Sequence, residues 1–171
     1  MAVTSFFFFS IATVVLVSAI LVICFRNPVH SALSLVLTFF SLAGLYVLLN
    51  AQFIAAIQVI VYAGAIMVLF LFVIMLLNLD KEKRLGEKHP LQKAFGIAIA
   101  GFLLVALGSI VITGVLYGDK GIYTDAKLNL LGNTKAIAGL LFTDWVLPFE
   151  IASILLLAAM VGAIVLSKKE L

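Results

Sequence analysis

Five uninterrupted apolar stretches, each about 20 residues or slightly longer, decide what this chain can fold into. They run from Ser5 to Phe25, His30 to Leu49, Phe53 to Asn78, Ala94 to Tyr117 and Val146 to Leu166, and none contains a Lys, Arg or Asp. A hydrocarbon layer about 30 Å thick is crossed by roughly 20 helical residues rising about 1.5 Å each. Lipid offers the backbone no hydrogen-bond partner, so a spanning segment must satisfy its own N–H and C=O groups, as a helix does. The alternation of period two that marks a membrane barrel is absent. The expectation is an all-α integral membrane protein with five transmembrane helices, one membrane domain over residues 1–171.

Composition excludes the soluble alternatives. The chain is 65% hydrophobic and 11% charged, with a mean hydropathy of +1.30. Soluble domains are roughly 45–50% apolar and about 25% charged. A soluble globular enzyme, a disordered tail and a nucleic-acid-binding module are all excluded. The net charge of +3 comes from 11 basic and 8 acidic residues, with no basic stripe interleaved with aromatics, so no nucleic-acid partner is expected. Cys24 is the sole cysteine and there are two histidines, which leaves the chain poor in ligands for haem, zinc or iron–sulfur clusters.

The first apolar run has no positive residue before it and no clear small-residue cleavage site after it, so a retained helix is expected. Arg26, the segment holding Lys81, Lys83, Arg84, Lys88 and Lys93, and the tail with Lys168 and Lys169 fall on one side of the membrane. Lys120, Lys127 and Lys135 fall on the other. The excess predicts an N-terminus outside and a C-terminus in the cytoplasm. It makes 80–93 a charged cytoplasmic loop and 118–145 a long outer loop. Asn27-Pro28 predicts a tight link between the first two spans. Asn50-Ala51-Gln52 predicts an antiparallel hairpin between the second and third. Within the long loop, Asn133-Thr134 before the apolar stretch Ala136 to Phe142 predicts a short capped helix at the interface or against another protein.

Residues that could carry chemistry are few. Gln58 lies deep in the third run, where an amide must find a hydrogen-bond partner. It serves either as glue between helices or in a water path, and it cannot ionise. Tyr62 and Gly64 follow, and permit either close packing or an irregular turn of the π type. The third run is long for a simple span, which allows a tilt or an extra residue in a bulge. Glu150, two residues after Pro148, is read as a dipole-favoured cap in the first turn of helix five or as a proton-relay group. Small-residue pairs at Gly96/Ala100 and Ala158/Gly162 favour close helix contact. His30 is an interfacial or capping residue. No dinucleotide or phosphate loop, nucleophile triad or paired carboxylate is present.

Three segments carry a resemblance. Arg26-Asn27-Pro28-Val29-His30-Ser31-Ala32-Leu33, the run from Ile57 to Leu69, and Leu140 to Glu150 resemble, in order, subunit J of proton-pumping NADH–quinone oxidoreductase, respiratory complex I. Ser153, Leu155 to Leu157 and Gly162-Ala163 fit as well, so the resemblance covers nearly the whole chain. It implies a core membrane subunit of a bacterial inner-membrane translocase with no catalytic site and no cofactor of its own. FMN, iron–sulfur clusters and quinone would be bound by other subunits. Its neighbours would be the membrane subunits called A, H, K and N. It further implies a π-bulge over Tyr62, Ala63, Gly64, Ala65, Ile66 and Met67 that switches to α form. That switch would move Val68 and Leu69 into or out of a water chain in which Gln58 and Glu150 are candidates. Some relatives carry Glu where this chain has Gln58, so a titrating role is excluded there. A stand-alone transporter or channel, or a subunit of a related cation antiporter complex, is the alternative; the chain shows no internal repeat of the kind lone transporters usually have.

Overall fold

The computed structural model describes residues 2–77, 90–117, 128 and 130–168. All regular structure among them is helical: α1 Ala2–Cys24, α2 Pro28–Leu48, α3 Gln52–Ile57, a π-helical coil π1 Gln58–Ile66, α4 Met67–Leu76, α5 Pro90–Tyr117, α6 Asn133–Phe142 and α7 Val146–Ser167. Five helices are long and apolar enough to cross a membrane: Val3–Cys24, Pro28–Leu48, Gln52–Leu76, Phe95–Gly114 and Val146–Ser167. The third is α3, π1 and α4 run end to end. Residues 78–89 and 118–127, which hold most of the predicted charged loop and much of the predicted outer loop, lie outside the described residues, as does Lys169. The fourth helix starts at Pro90 rather than Ala94, because the fixed φ of proline suits a first turn.

The α1–α2 hairpin is built as the sequence predicts. Asn27 is the N-cap of α2 and its side chain accepts from the Val29 N–H at 2.9 Å, with Pro28 in the first turn. The Ser31 hydroxyl donates to the Val22 carbonyl and ties α2 back to α1. Deeper in the pair, Ser18 is 1% exposed and donates to its own helix at Val14 O, 2.7 Å away. Its oxygen accepts from Thr38 of α2 at 2.9 Å. Without a hydrophobic force between helices in lipid, such a bond and close small-residue contact are what hold two spans together.

The next turn is equally short. Asn50 adopts φ 58, a left-handed conformation that Asn tolerates better than most residues. The Ala51 N–H then closes the end of α2 by donating to Tyr46 O at 2.9 Å. The third span returns along α2 and seats a small core of Ala32, Met67 and Ile74, flanked by Val29, Leu35, Val36, Phe39 and Leu71. By contrast, 0% of the most apolar windows of the fourth and fifth spans is buried within this chain. A methyl group added at Gly96 or Gly162 would meet nothing within 4 Å, so neither glycine lies at a close helix contact among the described residues.

Removing the hydroxyl of Thr38 by Thr38→Val keeps the shape and removes the donor to Ser18. The expected loss is about 0.6 kcal/mol, up to roughly 1.7, in reversible unfolding of the purified chain in detergent. Ser18→Ala on top of it should cost less than the two single losses added together.

Candidate functional site

The third span contains the one departure from regular helix among the described spans. Three β-branched residues in succession, Val59, Ile60 and Val61, crowd the preceding turn, and Gly64 lowers the α preference further. The coil widens there, and its first and last residues keep right-handed helical angles, Gln58 at φ −55, ψ −43 and Ile66 at φ −69, ψ −49. Ile57 lies at φ −61, ψ −42, and Met67 at φ −72, ψ −33. At its start the Gln58 N–H still points to Ile54 O and Ala55 O, four and three residues back. At its end the Met67 N–H points to Tyr62 O, five residues back, as well as to Gly64 O. The five-residue reach is the wider hydrogen-bonded ring of a π-helix, and nine residues make it longer than a single-turn bulge.

The widening shows in which side chains are buried. The buried positions of the span are Ala55, Gln58, Ala63, Met67 and Ile74, at intervals of three, five, four and seven. In a regular helix at about 100° per residue, Ala63 would lie about 140° from Gln58 and Tyr62 would share the Gln58 face. Here Ala63 is 4% exposed and Tyr62 is 47% exposed. The wide coil has exchanged one for the other.

Each candidate residue has a definite place. Gln58 opens the coil, is 9% exposed, and its amide makes no hydrogen bond among the described residues. The Tyr62 ring meets Phe39 of α2 edge-on, with centroids 5.7 Å apart, while its hydroxyl has no partner among the described residues. Ala63 is buried, Gly64 half-buried, and Ala65 and Ile66 are exposed. Met67 is the first residue of α4 rather than part of the wide coil, and its side chain sits in the core beside Ala32. Val68 and Leu69 point away from that core; Val68 lines an apolar groove of about 260 Å³ with Val29, Leu71, Phe72 and Met75.

Glu150 stands apart from this group. α7 begins at Val146, so Glu150 is its fifth residue, beyond the first turn in which the sequence reading placed it as a cap. Pro148 sits third, inside the first turn, where its missing N–H has no helical partner to lose. Within this chain α7 packs principally on α6, where Phe142 and Phe149 meet with centroids 5.0 Å apart, so the described structure does not gather Glu150 with Gln58, Val68 and Leu69. His30 lies in the first turn of α2 beside Phe25 at the membrane edge, 5.8 Å between ring centroids.

One tertiary contact of the third span was not legible in the sequence. Asn133 does not cap α6. Gly132 is the N-cap, at φ 80, with no side-chain cap bond, and Asn133 is the first helical residue. Its Oδ1 instead accepts from the Phe53 N–H in the first turn of α3, 3.3 Å away and 80 residues distant in sequence. Glycine followed by Asn-Thr was a local signal for a helix start, but nothing local points to the third span. Among the described residues no group of three or more His, Cys, Asp or Glu could hold a metal ion.

The sequence profile of the family described as NADH-ubiquinone/plastoquinone oxidoreductase chain 6 matches residues 18–166. The chain is similar to the NADH-quinone oxidoreductase subunit J of Rickettsia conorii, 36% identical over 169 residues, covering 96% of this chain and 80% of the relative. It is 41% identical over 166 residues to the NAD(P)H-quinone oxidoreductase subunit 6 of the organellar chromatophore of Paulinella chromatophora, covering 96% and 78%. It is 35% identical over 170 residues to the NADH-quinone oxidoreductase subunit J of Rhodobacter capsulatus, covering 99% and 84%.

Gly64 is the position where a side chain would act directly on the coil. A Cβ there would stand 3.1 Å from Val59 O, a backbone atom of the wide turn that gives way less readily than a side-chain tip. Alanine also favours regular helix over glycine by about 1 kcal/mol. Gly64→Ala should therefore move the balance of wide and regular coil at least about fivefold towards regular helix. A density map of the assembled variant, resolved well enough to count residues per turn from Gln58 to Met67, checks this.

Proposed function

The chain belongs to the family of NADH-ubiquinone/plastoquinone oxidoreductase chain 6 as a membrane subunit of NADH-quinone oxidoreductase, and from that premise we propose that its third span is a gate coupling quinone reduction to proton movement. The observation that supports the gate is the exchange of Ala63 for Tyr62 on the buried face across the wide coil. Each residue taken out of a wide coil turns the helix beyond it by about 100° and lengthens it by about 1.5 Å. Return to regular helix swings the exposed Val68 and Leu69 to a new bearing. A dry apolar pair placed across a narrow path stops water, and its removal admits it.

In this proposal the polar groups beside the gate orient water and carry no charge. Gln58 has an amide that can donate and accept but not ionise. The Tyr62 hydroxyl faces outward, where a neighbouring subunit or a water would meet it. The chain has no active site and no redox centre. FMN, the iron–sulfur clusters and quinone are held elsewhere in the assembly, and the neighbours are the membrane subunits called A, H, K and N. The setting is a bacterial inner membrane, with the N-terminus outside, as the distribution of Lys and Arg favours. Glu150 remains a candidate for the water path only with residues supplied by another subunit.

The test uses a tagged copy purified in mild detergent. Copurification with many large subunits and NADH–quinone activity is expected; isolation alone with ion conduction in liposomes would support a free-standing channel instead. Gly64→Val brings a β-branched side chain to the Val59 carbonyl. With a Cβ 3.1 Å from Val59 O the wide turn is crowded, and proton pumping and coupled quinone reduction should fall further than assembly does. Equal loss of assembly and activity would show packing alone. Tyr62→Phe should leave assembly unchanged, and a fall in pumping assigns the role to the hydroxyl rather than to the ring on Phe39.

A further inference from the structure

We propose that Asn133 is a positioning residue that fixes the upstream end of the third span, so that a change of coil turns the downstream half. The inference rests on the gate reading. The first turn of the third span lacks a cap of its own, because Ala51 precedes it and offers no side-chain acceptor. The Phe53 N–H is one of the donors left over, and Asn133 Oδ1 meets it at 3.3 Å.

The acceptor is held in place from both sides. Gly132, at φ 80 and ψ 143, adopts a backbone conformation that a residue with a side chain reaches only with strain. Its N–H donates to Leu128 O at 2.8 Å, and its carbonyl accepts from the Ala136 N–H at 3.1 Å. Ala136, one turn into α6, is 6% exposed, and α6 packs on α3. At the far end of α6 the Asp144 and Trp145 N–H groups both reach Leu140 O at 3.0 Å, and Phe142 stacks edge-on against Phe149 of α7. α6 is thus a strap between the start of the third span and the start of the fifth.

The consequence follows from length and rotation. A regular coil is longer by about 1.5 Å and turned by about 100° for each residue released. A hydrogen bond of 3.3 Å does not survive such a displacement of its donor. With the turn to α2 closed at Ala51 and the bond to Asn133 in place, the upstream end stays still and the downstream half, bearing Val68 and Leu69, takes the whole rotation. Without the bond the rotation is divided between the two ends, and the gate side chains travel less far.

The experiment measures protons moved per NADH oxidised in the complete assembly in liposomes, a ratio independent of how much complex assembles. NADH oxidation by an artificial acceptor serves as the reference activity. Asn133→Ala is expected to lower the ratio at least twofold with the reference activity unchanged. Asn133→Asp, which keeps an oxygen acceptor in the same place, is expected to restore it. An unchanged ratio in Asn133→Ala, or an Asp variant no better than Ala, overturns the proposal. If Asn133→Ala does not assemble, Asn133→Gln, with its acceptor displaced by one methylene, is read the same way against Asp. Gly64→Val is carried alongside. If it lowers the ratio and Asn133→Ala does not, the positioning role falls and the gate stands; if neither lowers it, the gate itself falls.

Discussion

In a hydrocarbon solvent every backbone N–H and C=O must be bonded by the chain itself, and the rest of this structure depends on that requirement. It forces the five long helices. It also limits how any of them can be irregular. A break that exposed backbone groups to lipid would cost several kcal/mol for each unsatisfied group. A wide coil has no such cost, because each donor moves from the carbonyl four residues back to the one five back, as Met67 does with Tyr62. The third span can therefore depart from α geometry within a membrane-spanning helix while both ends of the wide coil keep right-handed helical angles.

Side chains obey the same requirement. Ser10, Thr13 and Ser34 each donate to the carbonyl four residues back on their own helix, at 2.8, 2.8 and 3.0 Å. Among the described residues a hydroxyl links two spans at Ser31, which donates to the Val22 carbonyl, and between Thr38 and Ser18. Against that background the two groups beside the wide coil are distinct. The Gln58 amide and the Tyr62 hydroxyl find no bond among the described residues, and the polar end of each reaches the surface of the chain. Water or a neighbouring subunit must satisfy them, which places the polar business of this span at its contact with something else.

How much of this could be read from the sequence follows from what each feature depends on. The five spans depend on apolar length, a local property, and were legible to within a turn; Pro90 and Ala2 extend two of them because helix starts obey capping rules as well as hydropathy. The tight Asn27-Pro28 link and the short Asn50 turn were legible because their chemistry is complete within a few residues. The extent of the wide coil was not. A span of 25 residues is compatible with tilt or bulge, and the register shift between Gln58 and Ala63 appears only when burial against α2 is known. Asn133 was read as a cap for the helix it begins, and its bond to Phe53 across 80 residues leaves no trace in local pattern. The start of the fifth span at Val146 was legible, but Glu150, read as a first-turn cap, is the fifth residue of that helix and falls just beyond the turn.

The choice of a wide coil over a proline kink has a physical reason in a gate of the proposed kind. Proline in a helix interior removes a donor permanently and fixes a bend, so the helix has one state. Glycine with a β-branched run merely lowers the preference for regular helix by about 1 kcal/mol or a little more, and both coils keep their hydrogen bonds. Two states that differ by so little can be exchanged by a modest difference in how neighbouring subunits grip them. The close approach of Gly64 to Val59 O, 3.1 Å for a side chain that is not there, exists only while the coil is wide. A side chain at that position would leave the regular form as the comfortable one, which makes the missing methyl of Gly64 the cheapest means this sequence has of keeping both forms within reach.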